Sequence, residues 1–267
     1  MSCACGHHHA PRTGCTNGQP VALSSPMIAL SGRLICADMA QMMLAMDLLP
    51  EHVRLSRAEP GCLRFDIGQD DDPLIWSLSE LFTDAAAFQA HRDRNAASVW
   101  GRESRDLRRD FNRREVQPVM RAEIAADADA IDDLLTQAFD GPSEAQLVRG
   151  LRADGDLPIS LVVEAEGTLL GHIALSPLRA ERPAYALAPL AVHPKMQGRG
   201  LGGALIRAAV AQAGDAAIVL LGDPAYYARF GFRPVDLTSA YAGPYLQMLG
   251  NLPAQSRIDH APAFARL

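Results

Sequence analysis

The apolar positions of this chain change period several times, and the changes divide it into three stretches. Residues 1–26 carry no apolar periodicity that could offset the entropy of ordering them, so this tail is expected to be disordered. Residues 27–36 form an apolar run long enough for one strand. Ala40, Met43, Leu44, Leu48, Val53 and Leu55 follow at roughly helical spacing, with Pro50 placed to start, kink or interrupt a turn. Glu59-Pro60-Gly61 punctuates the chain before residues 62–67, which alternate as a half-buried strand does. Asp70-Asp71-Asp72-Pro73 reads as a turn and residues 74–82 as a third strand. Thr83-Asp84 caps a helix from Ala85 through His91 and beyond. Over residues 92–114 arginines and carboxylates interleave a turn apart, which predicts a solvated helix with local ion pairing. A strand around residues 115–119 closes this unit, with a domain boundary near Gln117-Pro118.

The pattern then starts again. Residues 119–124 read as a strand, and Asp127 caps a helix with Ile131, Leu134, Leu135 and Phe139 on its buried face. A second helix covers residues 143–151, and residues 159–164 and 169–175 form a hairpin turning at Glu166-Gly167. The apolar run 187–192 contains Pro189, which cannot donate to a ladder. Its place inside a strand implies an edge or a bulge, and a bulge would splay this strand from its neighbour. A helix-like run over 203–213, a buried strand over 217–221 and a short helix over 224–229 complete the pattern.

Between the strand and the helix stands Gln197-Gly198-Arg199-Gly200-Leu201-Gly202. A strand that ends in a glycine-rich turn and enters a helix aims free backbone N–H groups and the positive end of the helix dipole at one point. Glycines let an anion approach that backbone closely. The stretch reads as a cradle for phosphate.

Composition narrows the function classes. The chain has 267 residues, a net charge of -6 and a sequence pI near 5.7, which disfavours a general nucleic-acid binder. No apolar run approaches the ~20 residues of a membrane span, and the N-terminus lacks a secretory signal, so a soluble cytoplasmic protein is expected. Lys195 is the only lysine among many arginines, and alanine is abundant, as in a bacterium with a GC-rich genome. Five cysteines do not make a disulfide framework for a chain of this size, and Cys36 and Cys62 are expected to be buried thiols. Cys3, Cys5, His7, His8, His9 and Cys15 could hold a soft metal ion, but their spacing matches no closed four-ligand site. No metal is expected.

Two resemblances follow from these residues. Ser56-Arg57-Ala58-Glu59-Pro60-Gly61-Cys62-Leu63-Arg64-Phe65, then Ser79-Glu80-Leu81-Phe82 and Ala87-Phe88-Gln89-Ala90-His91, resemble the antibiotic-biosynthesis monooxygenase family. The resemblance implies a ferredoxin-like α+β domain over residues 27–117 that dimerises through its sheet. His91 stands where the haem-degrading branch carries an iron ligand, but that branch also uses an asparagine on the first strand, which residues 27–36 lack. A lone histidine on such a helix is more often a packing residue.

Leu190-Ala191-Val192-His193-Pro194 leading into Gln197-Gly198-Arg199-Gly200-Leu201-Gly202 resembles the acetyl-CoA motif of the GCN5-related N-acetyltransferase superfamily, and Tyr226-Tyr227-Ala228-Arg229-Phe230-Gly231-Phe232 resembles its C-terminal element. Over residues 118–267 this implies a mixed sheet flanked by helices, so the chain as a whole is expected to be α/β (α+β). The resemblance implies acetyl-CoA as co-substrate. Backbone groups of Leu190 and Val192, with Ala191 between them, would meet the pantetheine amides. The amides of Gln197, Gly198, Arg199, Gly200, Leu201, Gly202 and Gly203 would hold the pyrophosphate. Lys195 and Arg199 would serve as counter-charges or face solvent. Tyr227 would protonate the departing thiolate, with Tyr226 as the competing candidate. No general base stands out among Glu164, His172 and His193. The implied activity is direct acetyl transfer to a small-molecule or peptide amine, in a homodimer formed through the N-terminal domain. A quinol- or haem-type monooxygenase and a non-catalytic acyl-CoA sensor are the alternatives.

Overall fold

Two sheets organise the computed structural model, which describes residues 19–266. Strand β1 (Val21–Ala22) leads into a unit made of β2 (Met27–Ile35), α1 (Met39–Ala58), β3 (Cys62–Gln69), β4 (Ile75–Phe82), α2 (Ala85–Ala97), α3 (Val99–Glu103) and β5 (Arg108–Val116). Its four strands are antiparallel in the order β3-β4-β2-β5, with both longer helices on one face. Asp38 and Asp84 cap α1 and α2 by accepting from the Gln41 and Ala87 amides. Phe65 and Phe82 are fully buried beneath them, each worth roughly 1.5–3 kcal/mol of apolar burial. α1 runs through Pro50 without a break.

The remainder builds the larger sheet: β6 (Val119–Ala122), α4 (Ala128–Phe139), α5 (Ser143–Asp154), β7 (Ile159–Ala165), β8 (Thr168–Leu178), β9 (Ala184–Val192), α6 (Leu201–Ala213), β10 (Ala217–Leu221), α7 (Pro224–Tyr227), β11 (Arg233–Pro234) and β12 (Leu246–Leu249). The strand order is β1-β6-β7-β8-β9-β10-β12-β11. Helix α6 packs one face through Leu205, Ile206 and Ala209, and α4 packs the other through Ile131, Leu134 and Leu135. Phe139, expected on that buried face, lies at the helix end and is 41% exposed.

Two sequence expectations are corrected. Residues 92–114 were expected to be one solvated helix. They form the end of α2, the short α3 and then β5, which pairs with β2 over nine residues. β5 is an edge strand, and its charged, exposed side chains guard the open edge instead of showing apolar alternation. The tail expected to be disordered to residue 26 contains β1, where Val21 pairs with Met120 and Ala22 with Val119 in the larger sheet. The cysteines and histidines at positions 3 to 15, with the metal-binding idea attached to them, lie outside the described residues.

β1 and β6 are neighbours, as are β2 and β5, so the smaller unit is an excursion between two adjacent strands of the larger sheet. The sheet face of the smaller unit opposite its helices meets the larger one. Met27, Ala29 and Leu81 join the same buried cluster as Met120, Val163 and Leu170. The remainder of that face is polar, with Ser31, Ser79, Asn112 and Arg114.

Under α1 and α2 the smaller unit buries several ionisable groups. His91 Nδ1 lies 3.0 Å from Glu59 Oε2, its Nε2 lies 3.9 Å from Glu80 Oε2, and its ring packs against Phe65 and Phe82. Both ring nitrogens thus face carboxylates, which gives His91 a packing role. Arg94 donates to Glu59 Oε1 and to Ser56 Oγ, at 2.7 Å each. Burial, reinforced by the charge of Glu59 and opposed by Arg94, pushes the Glu80 carboxyl up to about 8, and its Oε2 has no hydrogen-bond partner. A carboxyl whose folded pKa is raised contributes stability below its ordinary value near 4.5 and loses it as pH rises towards 8. Glu80→Gln is therefore expected to be nearly neutral at pH 4.5 and to stabilise by about 1–3 kcal/mol at pH 9, as read by urea unfolding at both pH values.

Candidate active site

The site begins where two parallel strands part. β9 and β10 pair only over Ala184–Ala186 and Ala217–Val219, and beyond Ala186 the strands diverge. On its other side β9 stays on β8, with a register shift that sets Leu187 opposite Leu175 and Leu190 opposite Ile173. Ala188 and Pro189, joined by a cis peptide, occupy the shift. This is the bulge that a proline in mid-strand requires. The edge of β9 from Leu187 to Val192 is left without β10 beside it.

After Val192 the chain makes a 3-10 turn over Pro194–Met196, anchored by the fully buried Met196, and reaches α6 through Gly198 and Gly200. These two glycines have φ of 75° and 85°, a left-handed backbone that other residues adopt only under strain. Gly200 is also the N-cap of α6, so the first amides of the helix are not covered by a capping side chain. At Gly202 the space is tight: a Cβ there would lie 3.0 Å from the Tyr226 hydroxyl, which would have to shift by a few tenths of an ångström.

These pieces enclose one cleft of about 560 Å³. Of the residues singled out from the sequence, Leu190, Val192, Gln197, Gly198, Gly200, Leu201, Gly202 and Gly203 line it. Ala191 does not: strand alternation turns it to the opposite face, buried beside α4. Arg199 does not either, because its guanidinium reaches Asp84 at 2.7 Å. Lys195 likewise points away, to the smaller unit. The cations in the cleft are instead Arg207 and Arg229, and neither makes an ion pair among the described residues. Arg229 stacks 3.9 Å from the centre of the Tyr226 ring. Arg207 had a readable signal, since it lies on α6 one turn beyond Gly203. Arg229 had none beyond its place in the tyrosine segment.

Tyr226 and Tyr227 take different positions. Tyr226 lines the cleft beside the glycine turn. Tyr227 packs edge-on against Tyr226 and Phe232 and lies over Gly222, where any Cβ would clash with its ring. Burial, with a lesser effect of Tyr226, pushes the Tyr227 phenol up to about 12, so it is protonated at neutral pH.

At the point of the fork is a second cavity, of about 100 Å³. Its walls are Leu187 and Ala188 of β9 and Val219 and Leu220 of β10, and Tyr241, His260 and Phe264 close it. The three rings pack on one another, with His260 4.8 Å from Tyr241 and 4.9 Å from Phe264 between centres. Burial lowers the His260 imidazole below its ordinary value, with Asp259 opposing, so it is neutral at pH 7. Nothing in the sequence pointed to this group, because the C-terminal segment is irregular.

The three candidate bases considered from sequence are all engaged elsewhere. Glu164 accepts from the Gly167 amide in the hairpin, and His193 Nδ1 accepts from the Lys195 amide. His172 is neither at a strand end nor in an exposed turn: it is fully buried in mid-β8, with Nε2 2.9 Å from Ser160 Oγ. Ser160 in turn bonds Glu123, which also accepts from Arg152. Burial alone would raise the Glu123 carboxyl, but the nearby His172 and the hydrogen bonds from Arg152 and Ser160 outweigh it and hold it at about 2.

Comparison with known proteins agrees with this geometry. The acetyltransferase (GNAT) family model matches residues 128–232, and the antibiotic biosynthesis monooxygenase model matches residues 44–102. The uncharacterized N-acetyltransferase YhbS of Escherichia coli K12 is 42% identical over 122 residues, covering 43% of this chain and 73% of that protein. The uncharacterized N-acetyltransferase YjhQ of the same strain is 36% identical over 130 residues, covering 45% of this chain and 72% of its own length. The crystal structure of Escherichia coli YhbS in complex with CoA aligns with a TM-score of 0.53 and 34% identity, over 56% of this chain and 93% of that one. With the fork, the glycine turn and these relatives together, the chain belongs to the GNAT acetyltransferase family and carries an antibiotic biosynthesis monooxygenase domain on its N-terminal side.

Proposed function

We propose that this protein is an acetyl-CoA-dependent N-acetyltransferase that passes acetyl directly to a primary amine in a ternary complex. The observation that carries the reading is the continuity of the glycine turn with the open edge of β9 in one cleft. An anion held at the N-terminus of α6 leaves the open strand edge to hydrogen-bond an amide-bearing arm along the fork. The CoA complex of the relative YhbS supports this assignment.

In this reading the amine lone pair attacks the thioester carbonyl, the C–N bond forms and the C–S bond breaks. The leaving thiolate takes its proton from Tyr227. Tyr226 is less suited, because its hydroxyl stands beside Gly202, at the phosphate end of the cleft. The amine's proton goes to His260, whose neutral imidazole faces the cavity at the point of the fork. That cavity has apolar walls without a carboxylate or guanidinium, which favours an amine on an apolar stem over an amino acid or a polyamine.

Three outcomes test the reading. Tyr227→Phe is expected to lower turnover by about 10²-fold, with CoA affinity unchanged by calorimetry. In thiol-release assays with a panel of arylalkyl amines, kcat at saturating amine should fall as pH drops below the ordinary imidazole range and His260 protonates. His260→Gln should lose that acid limb together with most turnover; superimposable pH profiles would remove its role as base. Gly200→Glu, which combines left-handed strain with a carboxylate at the helix N-terminus, should abolish CoA binding.

A further inference from the structure

Both cations of the glycine turn are committed to the other domain. Lys195 Nζ donates to three backbone carbonyls, Arg57 O at 3.0 Å, Glu59 O at 2.9 Å and Cys62 O at 2.8 Å. An ammonium has three donors, so all three are satisfied. Arg57 and Glu59 lie at the C-terminal end of α1, where carbonyls lack helical partners and the dipole favours a cation. Arg199 reaches the other helix: Nη2 donates to Asp84 Oδ2 at 2.7 Å and Nη1 to Thr83 O at 3.3 Å. Asp84 is the N-cap of α2. The turn is thus suspended between the end of one helix and the start of another, both in the antibiotic biosynthesis monooxygenase domain.

We infer that the N-terminal domain is a working part of the coenzyme site, in which Lys195 and Arg199 act as positioning residues that hold the pyrophosphate turn in its receiving shape. The inference rests on the acetyl-CoA reading above. A turn with two glycines at positive φ has many conformations to lose, and its amides converge on an anion in only a few. Fixing the turn in advance removes that entropy cost from binding, and the observed affinity rises with the fraction of turns in the competent shape. The contact is built for permanence. The sheet face through which the family resemblance implies dimerisation packs within the chain, where its Met27, Ala29 and Leu81 join the core of the larger sheet. Arg64 and Arg114 add hydrogen bonds to Thr168 and Glu166 across the junction.

A competing role for these side chains is direct charge neutralisation of the pyrophosphate, and the two roles differ in sign for one substitution. Asp84→Asn keeps an N-cap on α2 but releases Arg199 from its carboxylate. A counter-charge set free would tighten CoA binding, whereas a loosened turn would weaken it. Calorimetric titration of the full-length protein with CoA, and separately with pantetheine, which lacks the pyrophosphate, tests the inference. If the competent fraction falls to a tenth in Lys195→Met, its Kd for CoA rises about tenfold. Asp84→Asn should raise it about threefold on the same argument. Pantetheine affinity should not change in either variant. Unaltered CoA affinity in both variants, tighter CoA binding in Asp84→Asn, or an equal loss for pantetheine overturns the inference and leaves the acetyltransferase reading standing. If the wild type does not bind CoA, both fall.

Discussion

The parting of β9 from β10 is the constraint on which the rest depends. A β-sheet normally uses every backbone group of its interior strands, and this one leaves a strand edge open in the middle of the molecule. Past Ala186, where β9 has left β10, Pro189 cannot join a regular ladder and β9 shifts its register on β8. Two cavities open onto that gap. The glycine turn lies at its wide end with Tyr226 beside it, and the aromatic group of Tyr241, His260 and Phe264 at its narrow end.

Charge is distributed around the gap by division of labour between loop and scaffold. The turn's own lysine and arginine make structure, while Arg207 and Arg229, from a helix and from the segment after α7, face the cleft. A cation that holds a loop in place cannot also follow a ligand, so the two tasks fall to different side chains. The buried Glu123, Ser160 and His172 group does for the sheet what Lys195 does for the turn. It ties β7, β8 and the end of β6 together through polar contacts on the face covered by α4 and α5.

What was legible in the sequence is what residue type alone dictates. Gly198 and Gly200 reported a glycine turn leading into a helix, Pro189 a bulge, and Ile131, Leu134 and Leu135 a buried helix face. β5 was not legible, because an edge strand with charges on both faces shows neither helical nor strand periodicity. The partners of Lys195 were hidden for another reason: they are backbone carbonyls more than a hundred residues away, and a carbonyl has no residue identity to read. His260 was hidden because its neighbours assemble from β9, β10 and an irregular C-terminal segment.

The excursion of the smaller domain from between β1 and β6 has a consequence for how such a protein could arise. Leu23 N donates to Pro118 O at 2.8 Å and Ser25 N to Gln117 Oε1 at 3.0 Å, so the chain leaves the larger sheet and returns to it side by side. A tight hairpin could close the same gap, and the parent sheet would keep every pairing it has now. An ancestral sheet could therefore have accepted the guest between these strands without losing a strand pairing, its core extending onto Met27, Ala29 and Leu81. Once seated, the guest would be retained by whatever it contributes at the glycine turn.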